Sequence, residues 1–288
     1  MRLPTPAELD GVRDDIRRGG IKTDAMRILH HGSSLVIGDG QRVFRITEED
    51  ESQAEEIIGR ALALGASRAP VLQPAHPRPV VTRLGTATVW PQGKPAPDPV
   101  RNLGKVLAAL HTTTDVTVPA RPETRHDLRR RLRELSGIGV DENVLLRLMR
   151  IAARLPEDTS WRDDTRTIVH GDAHTGNIIW HDGQVVLLDT STVGMGEPVA
   201  DMVPAWCAAR RAKRGRELWT AFRTGYGEHA DDLLDWRHLE EAVLERELLT
   251  TIFLAEQWQT QPWVRDELET RLTSWDDPET GARWNTGD

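Results

Sequence analysis

The chain has 288 residues with a formal net charge of −8, which allows one large or two ordinary domains and argues against general nucleic-acid binding. Its mean hydropathy is −0.48, and no apolar run approaches the roughly 20 residues that a membrane span needs. Because Cys207 is the only cysteine and the first residues contain no apolar secretory segment, we expect no internal disulfide and a reducing cytoplasmic location.

The first part of the chain predicts a helix followed by a small antiparallel sheet. Residues 5–18 predict a short polar helix, with Pro6 near its start and Gly19-Gly20 at its end, packed outside the main sheet. A meander of three strands is expected next, with a small-residue loop between the first two strands. The predicted strands are residues 25–30, 35–37 and 42–46.

A helix, a hairpin and a second helix are predicted next. Residues 48–64 begin with acidic side chains, which favour a helix N-terminus. Residues 79–85 and 86–90 predict the hairpin, and the proline-rich sequence KPAPDP after it suits a stiff connector. Residues 99–111 then place apolar side chains on one face at helical spacing, which predicts the second helix.

The rest of the chain predicts mainly helices, interrupted by one β segment. The C-terminal helices contain most of the tryptophans together with acidic clusters. We expect most of these charges to face solvent and most of these rings to be core, with a minority lining a pocket that stacks on a ring or attracts a cation. The predicted helices are residues 122–136, 141–154, 199–211, 214–226, 235–259 and 262–275, followed by a polar tail.

The β segment, residues 167–189, has the sequence TIVHGDAHTGNIIWHDGQVVLLD and predicts a strand, a polar loop and a hairpin. Asp182-Gly183 favours a tight turn between two apolar runs, so the hairpin brings Asn177 at its entry close to Asp189 at its exit. Both side chains offer the hard oxygen ligands that magnesium prefers. Asp172, on the same loop, is a separate carboxylate that can orient a hydroxyl and accept its proton.

Two other interpretations of this segment are open. An HGD triplet by itself is common, because a buried histidine often lies beside a turn glycine and a capping aspartate. Alternatively, His170, Asp172 and His174 at alternate positions can be ligands of a transition metal. The transition-metal interpretation explains neither Asn177 nor the hairpin that delivers Asp189. We therefore prefer magnesium ligands beside a separate carboxylate, an arrangement that suits phosphoryl transfer.

The sequence HGDxHxxN at residues 170–177, followed by Asp189, resembles the aminoglycoside phosphotransferase and choline kinase family of protein-kinase-like enzymes. The sequence GKVLAALH, which ends at His111, resembles the helix after the hinge in that family. The resemblance implies that Asp172 is the catalytic base and that Asn177 and Asp189 hold Mg²⁺.

The same resemblance implies an α+β, two-lobed protein-kinase-like fold. The first lobe, residues 1–92, would be a small antiparallel sheet with one packed helix that binds the nucleotide. The second lobe, residues 93–288, would be larger, mainly helical, and would hold the catalytic and acceptor-binding residues.

Further residues of the first lobe acquire a nucleotide-binding role by resemblance. The loop that contains Ser33 and Ser34 would cover the nucleotide phosphates. Arg45 occupies a place where the family usually has a strand lysine, and an arginine there can bind phosphate with its forked donors. Glu55 is the expected helix partner of Arg45, with Glu56 as the alternative. Arg45 can instead be an ordinary surface residue of its strand.

The segment from Trp90 to Gly93, which includes Gln92, lies where the family has its hinge, whose backbone binds adenine. Of two positions that follow the expected metal-binding aspartate in the chain, Ser191 departs from the family pattern and Asp201 matches it. Ser191 stands where a second acidic residue is frequent, which weakens any prediction of two carboxylates at the metal. Asp201 matches a position that supports the catalytic loop, although it can equally be a helix-start acid.

The implied function is phosphorylation of a hydroxyl on a small molecule, with Mg²⁺ and with ATP or GTP as donor. We expect an antibiotic as acceptor, an aminoglycoside first and another sugar-bearing or nucleoside antibiotic next, so that the enzyme gives resistance by inactivation. A metabolic kinase that acts on choline, a sugar or an amino alcohol is the alternative, and a non-catalytic nucleotide-binding scaffold is a further one. We expect neither a nucleic-acid nor a membrane partner.

Overall fold

The computed structural model describes residues 3–32, 34–118, 124–156, 167–277 and 282–285. In these residues the chain forms ten strands and nine α-helices, joined by short 3₁₀ turns. The strands are β1 (Arg27–His31), β2 (Leu35–Gly38), β3 (Arg42–Thr47), β4 (Val80–Thr82), β5 (Gly85–Pro91), β6 (Lys94–Pro95), β7 (Thr167–Val169), β8 (Ile178–His181), β9 (Gln184–Leu187) and β10 (Gly194–Gly196). The helices are α1 (Pro6–Arg18), α2 (Glu51–Ala66), α3 (Pro99–His111), α4 (Thr124–Gly137), α5 (Glu142–Ala152), α6 (Val203–Arg211), α7 (Gly215–Tyr226), α8 (Leu239–Ala255) and α9 (Trp263–Asp276).

The chain divides into two compact units. The sheet unit comprises Met1–Pro99, Thr113–Val118 and Gly176–Ser191, and the helical unit comprises Val100–Thr112, Pro119–Thr175 and Thr192–Asp288. The lobe boundary after residue 92 stays a prediction. Among the described residues, no helix combines the length and apolar character that crossing a bilayer requires.

A five-stranded antiparallel sheet is the framework of the sheet unit. Its strands lie in the order β1-β2-β3-β5-β4. Because side chains alternate between the two faces of a strand, every second residue of the central strands enters one core. These residues are Leu35, Ile37, Phe44, Ile46, Ala87 and Val89.

Helix α1 packs directly on one face of this sheet. Val12 and Ile16 are fully buried in the same core as the strands. They are four residues apart and therefore share one face of a helix that is otherwise polar, which is why the sequence pattern hid them. A capping box between Thr5 and Glu8 fixes the start of α1.

The β8–β9 hairpin has the turn that its sequence predicts. Asp182 and Gly183 have φ angles of +46° and +83°, and two successive left-handed residues define the type I′ turn that matches strand twist. Ile178 pairs with Leu187 at the open end of the hairpin. A third strand, β6, pairs with β8 and was not predicted from the sequence.

The interior of the helical unit includes two groups of described side chains. Apolar residues of α4, α5, α8 and α9 build one core, which also contains Trp284 from the segment predicted as a polar tail. A row of aromatic rings, Trp206, Trp219, Phe222 and Tyr226, follows α6 and α7 with centroid separations of 4.9, 5.5 and 5.8 Å. Strand β10 pairs with β7 just before the HGD loop.

Helices α3 and α7 cross so closely that glycine is required at the contact. A Cβ atom on Gly225 would lie 1.8 Å from the carbonyl oxygen of Arg101, and one on Gly104 would lie 2.4 Å from the carbonyl oxygen of Phe222. Because both obstacles are backbone atoms, they cannot move aside like a flexible side chain. This crossing sets the position of His111 and Tyr226, the last residues of the two helices.

We therefore expect Gly225→Ala to lower the free energy of unfolding by at least about 1–3 kcal/mol, the usual cost of overpacking. Gly59→Ala is the matched control, because Gly59 lies in α2 and a Cβ atom there meets nothing within 4 Å. That control should gain about 0.5–1 kcal/mol from the better helix propensity of alanine. Urea denaturation of both variants measures the difference, and equal stabilities would contradict the close crossing.

Candidate active site

One buried carboxylate in the helical unit holds the backbone of the HGD loop. Asp201 is 1 % exposed and accepts the N–H groups of His170 at 2.5 Å and Gly171 at 2.8 Å. Gly171 has a φ of +84°, a left-handed conformation that glycine adopts without strain. Asp201 therefore fixes the loop immediately before Asp172.

Asp201 is itself held by a chain of two further side chains. His111 Nε2 lies 3.1 Å from its carboxylate, and His111 Nδ1 lies 2.7 Å from the hydroxyl of Tyr226. Because a carboxylate only accepts, Nε2 of His111 is the donor to Asp201. Burial, followed by the nearby charge of Asp201, raises the pKa of Tyr226, so its hydroxyl keeps a proton that it can donate to Nδ1.

The carboxylate of Asp172 is half-exposed and is contacted by two basic side chains. Arg246 Nη1 donates to Oδ1 at 2.8 Å, and His174 Nε2 lies 3.7 Å from Oδ2. Burial alone would raise the pKa of Asp172, but the interaction with His174 and the charge of Arg246 outweigh it and hold the pKa well below its ordinary value. Asp172 is therefore ionised at neutral pH and fixed in orientation, as a hydrogen-bond acceptor for a hydroxyl must be.

In the sheet unit, the β8–β9 hairpin places Asn177 and Asp189 at its open end. The carbonyl oxygen of Asn177 accepts the N–H of Leu188 at 2.8 Å, so Asp189 follows directly after the residue paired with Asn177. Asp189 has a φ of +51°, and its Oδ1 accepts the hydroxyl of Ser191 at 2.6 Å. Its Oδ2 lies 3.5 Å from Nη2 of Arg45.

Arg45 has a different partner in this structure from the one expected. Within the part of the chain that the structure describes, Arg45 pairs with Asp189 and with neither Glu55 nor Glu56. Glu55 is exposed because it follows the buried Ala54 and is rotated away from the inner face of α2. Glu56 forms its ion pair with Arg60 at 2.6 Å.

Of the two serines predicted to cover the phosphates, the structure describes Ser34. Ser33 lies outside the described residues. Ser34 is buried, and its carbonyl oxygen accepts the N–H of Gly32 at 3.1 Å. This bond closes the turn between β1 and β2 at the point where the sequence predicts a phosphate loop.

The predicted hinge contains one buried polar atom that suits a ligand. Trp90 Nε1 donates to Thr88 at 2.8 Å, which fixes the indole on its strand. Gln92 donates its backbone N–H to Gln41 at 2.8 Å, whereas its side-chain Oε1 is buried without a hydrogen-bond partner among the described residues. Because an unsatisfied buried acceptor is costly, this atom fits a donor supplied by a bound molecule.

The donor set of the hairpin suits magnesium and that of the HGD loop does not suit a transition metal. Asn177 and Asp189 offer one neutral and one charged oxygen ligand, the small number that Mg²⁺ takes from a protein when phosphates and water complete its shell. No group of three His, Cys, Asp or Glu side chains with metal-binding geometry occurs in the described ranges. His170 instead uses Nδ1 for the N–H of Asp172, at 3.3 Å.

A cavity of about 310 Å³ lies in the helical unit and is lined by both basic partners of Asp172, Arg246 and His174. Sequence reasoning missed most of its polar wall. Arg246 is 74 residues from Asp172 in the chain and lies in a helix whose arginine gives no local signal. The other polar or aromatic residues of this wall are Thr175, Arg211, Glu247, Thr250, Arg271, Trp284 and Asn285.

Comparison with known proteins shows the family of the chain. Residues 33–242 match the family model APH, phosphotransferase enzyme family. The chain is 15 % identical to the amicoumacin kinase hAmiN in complex with AMP-PNP, Ca²⁺ and Ami, with a TM-score of 0.62 over 98 % of this chain and 98 % of that chain. No curated protein sequence matches the chain.

Two further solved structures have the same fold. A thermostable mutant of aminoglycoside phosphotransferase APH(4)-Ia is 15 % identical, with a TM-score of 0.58 over 92 % of this chain and 100 % of that chain. A choline/ethanolamine kinase family protein from Mesorhizobium loti is 17 % identical, with a TM-score of 0.54 over 88 % of this chain and 87 % of that chain. These likenesses confirm the predicted α+β protein-kinase-like fold.

The Asp201 network leads to a paired prediction. Asp201→Asn removes the charge that accepts two backbone N–H groups and His111, and hydrogen bonds to a charged group are worth roughly 1.5–3 kcal/mol each. We expect it to lower the free energy of unfolding by about 2–3 kcal/mol. Tyr226→Phe removes only the outermost hydroxyl and should cost about 1 kcal/mol. Chemical denaturation of both variants tests the order, and equal losses would show that Asp201 is not the centre of the network.

Proposed function

Because the chain belongs to the phosphotransferase enzyme family, we propose that it transfers a phosphoryl group from ATP or GTP to a hydroxyl of a small molecule, with Mg²⁺. The observation that supports this most directly is the state of Asp172. A half-exposed carboxylate, kept ionised by Arg246 and His174, lies beside a cavity of the size of a small ligand. Phosphoryl transfer needs such a group to orient the attacking hydroxyl and to take its proton.

On this proposal the residues of the sheet unit hold the donor. Asn177 and Asp189 would hold Mg²⁺, which supplies neutralisation of the phosphate charge. Arg45, already paired with Asp189, would bind a phosphate oxygen through its remaining donors. The orphan oxygen of Gln92 and the strand that contains Trp90 would face the base.

The loop with Ser33 and Ser34 would cover the phosphates. We retain residues 1–92 as the proposed nucleotide-binding lobe and residues 93–288 as the proposed catalytic lobe. Dependence on a nucleoside triphosphate fits the cytoplasmic location that the single cysteine indicates.

For the acceptor we propose an antibiotic hydroxyl, so that the reaction inactivates the compound. Solved relatives in fold include an amicoumacin kinase and an aminoglycoside phosphotransferase, which supports an aminoglycoside or another sugar-bearing or nucleoside antibiotic. The choline/ethanolamine kinase family protein with the same fold favours the second candidate, a metabolic kinase. A screen of antibiotics, choline, sugars and amino alcohols, with mass detection of a phosphate adduct, separates the two, and no adduct with any compound would reject both.

We expect Asp172→Asn to lower kcat by about 10²–10⁴-fold, the usual contribution of general-base catalysis. Binding of Mg²⁺ and nucleotide should remain close to wild type, because Asp172 contacts Arg246 and His174. Steady-state kinetics and nucleotide titration measure the two quantities. A near-normal kcat with an acceptor that the wild type phosphorylates would show that Asp172 is not the base.

We expect Asp189→Ala to abolish turnover and Asn177→Ala to reduce it less, because a neutral amide is more easily replaced by water than a carboxylate. In Asn177→Ala the Mg²⁺ concentration for half-maximal rate should rise. Titration of Mg²⁺ at saturating nucleotide measures it, with Gln184→Ala as the control, because Gln184 is exposed at the closed end of the same hairpin. An unchanged Mg²⁺ dependence in Asp189→Ala would remove this residue from the metal site.

A further inference from the structure

The cavity beside Asp172 has one apolar wall and one polar wall. The polar wall comes from helices α8 and α9, from the segment 282–285, from Arg211 at the end of α6 and from His174 and Thr175 of the HGD loop. Its volume of about 310 Å³ lies at the small end of the range for ligand pockets, roughly 300–1,000 Å³, which suits one or two rings. The apolar wall consists of Val100, Leu103, Pro204, Ala205, Ala208 and Leu218.

Three arginines line this cavity, and a carboxylate already pairs with each of them. Among the described residues, Glu247 is the one acidic side chain that lines the cavity. A polycationic ligand would therefore meet three guanidinium groups and find no carboxylate that lacks a countercharge. The three pairs are Arg211–Glu247 at 2.7 Å, Arg271–Glu267 at 2.8 Å and Arg246–Asp172 at 2.8 Å.

Two exposed acidic residues of the C-terminal helices leave the charge of the cavity unchanged. Glu240 pairs with Arg210 at 3.1 Å, and Asp276 pairs with Arg147 at 2.6 Å. Neither Glu240 nor Asp276 lines the cavity. Glu240 and Asp276 are therefore exposed, paired charges that give the cavity no cation-binding character.

Trp284 is unsuited to stacking on a ligand ring. The guanidinium of Arg211 lies 4.4 Å from its ring centroid and that of Arg271 lies 4.8 Å from it. Trp284 Nε1 donates to Ser274 at 3.0 Å, which anchors the indole. The ring therefore fixes two guanidinium groups in the wall, so the wall presents N–H donors.

Arg246 connects this wall to the reacting end of the cavity. It lines the cavity and uses Nη1 to hold Asp172. Its other N–H groups donate no hydrogen bond to any residue that the structure describes. They are therefore available for oxygen atoms of a molecule in the cavity, because a guanidinium donates in several directions at once.

We propose that the cavity takes an uncharged, oxygen-rich acceptor with one or two rings, a nucleoside or an amine-free glycoside, and that Arg246 binds its oxygens while it positions Asp172. The inference rests on the proposed function, since it names the acceptor class of the same site. An aminoglycoside is disfavoured, because its ammonium groups would lie among guanidinium groups of like charge.

Binding to the nucleotide-free protein tests the acceptor class directly. Isothermal titration with a panel of uncharged nucleosides and glycosides, and with aminoglycosides including kanamycin, should give at least tenfold tighter binding for the best uncharged compound. Arg246→Gln should weaken that binding at least tenfold and Arg246→Lys less. Arg210→Gln, which alters an arginine outside the cavity, should leave it unchanged. The proposal would be overturned if kanamycin bound more tightly than every uncharged compound or if no compound bound. It would also be overturned if Arg246→Gln bound the uncharged compound as tightly as Arg210→Gln does.

The pH profile of kcat/KM tests the positioning role. Arg246 and His174 both contact Asp172, and the charge of Arg246 helps to lower its pKa. In Arg246→Gln the acid limb of the profile should move to higher pH, and in Arg246→Lys it should stay near that of the wild type. A loss of rate without this shift would mean that Arg246 is merely structural.

The two experiments separate the inference from the function on which it rests. If uncharged compounds bind in an Arg246-dependent way but none is phosphorylated, the proposed function fails and the assignment of the cavity stands. If kanamycin is phosphorylated in preference to every uncharged compound, the proposed function stands and the inference fails.

Discussion

The buried charge of Asp201 is the constraint on which the rest of the site depends. An uncompensated charge in a protein interior costs several kcal/mol, so the chain must bring donors to it. Two of these donors are backbone N–H groups of the HGD loop, and the third is His111 at the end of α3. Asp201 thereby links the loop to α3 and, through Tyr226, to α7. The close glycine contact between α3 and α7 helps to hold His111 and Tyr226 in place for this network.

Each of the two candidate acids is contacted by an arginine of its own unit. Asp172 is held by Arg246 in the helical unit, and Asp189 is contacted by Arg45 in the sheet unit. A guanidinium can pair with a carboxylate and keep further donors for a second anion or oxygen, which an ammonium does with less geometric control. The arginine on β3, where the family usually has lysine, is consistent with this preference.

The sequence predicted local features well and distant ones poorly. Asp182-Gly183 dictates its own turn, and the turn alone brings Asn177 toward Asp189, so this half of the site could be predicted from the hairpin signal. The partner of Arg45 depends on how α2 is rotated, and the periodicity of α2 was interpreted one residue out of phase at Glu55. Arg246 reaches Asp172 only through the packing of α8, for which no local pattern exists.

Cys207 contributes a buried thiol to the cavity. It is the only cysteine in the sequence, and it lies in the cavity wall. Burial, with the nearby charge of Glu247, raises the pKa of its thiol to about 12, so reagents that merely collide with the protein meet a neutral and slow nucleophile. Its Sγ also lies 3.9 Å from the carbonyl oxygen of Val243, to which the S–H donates. Cys207 is therefore inert in the folded protein, and its reaction with a thiol reagent would report that the cavity wall has opened.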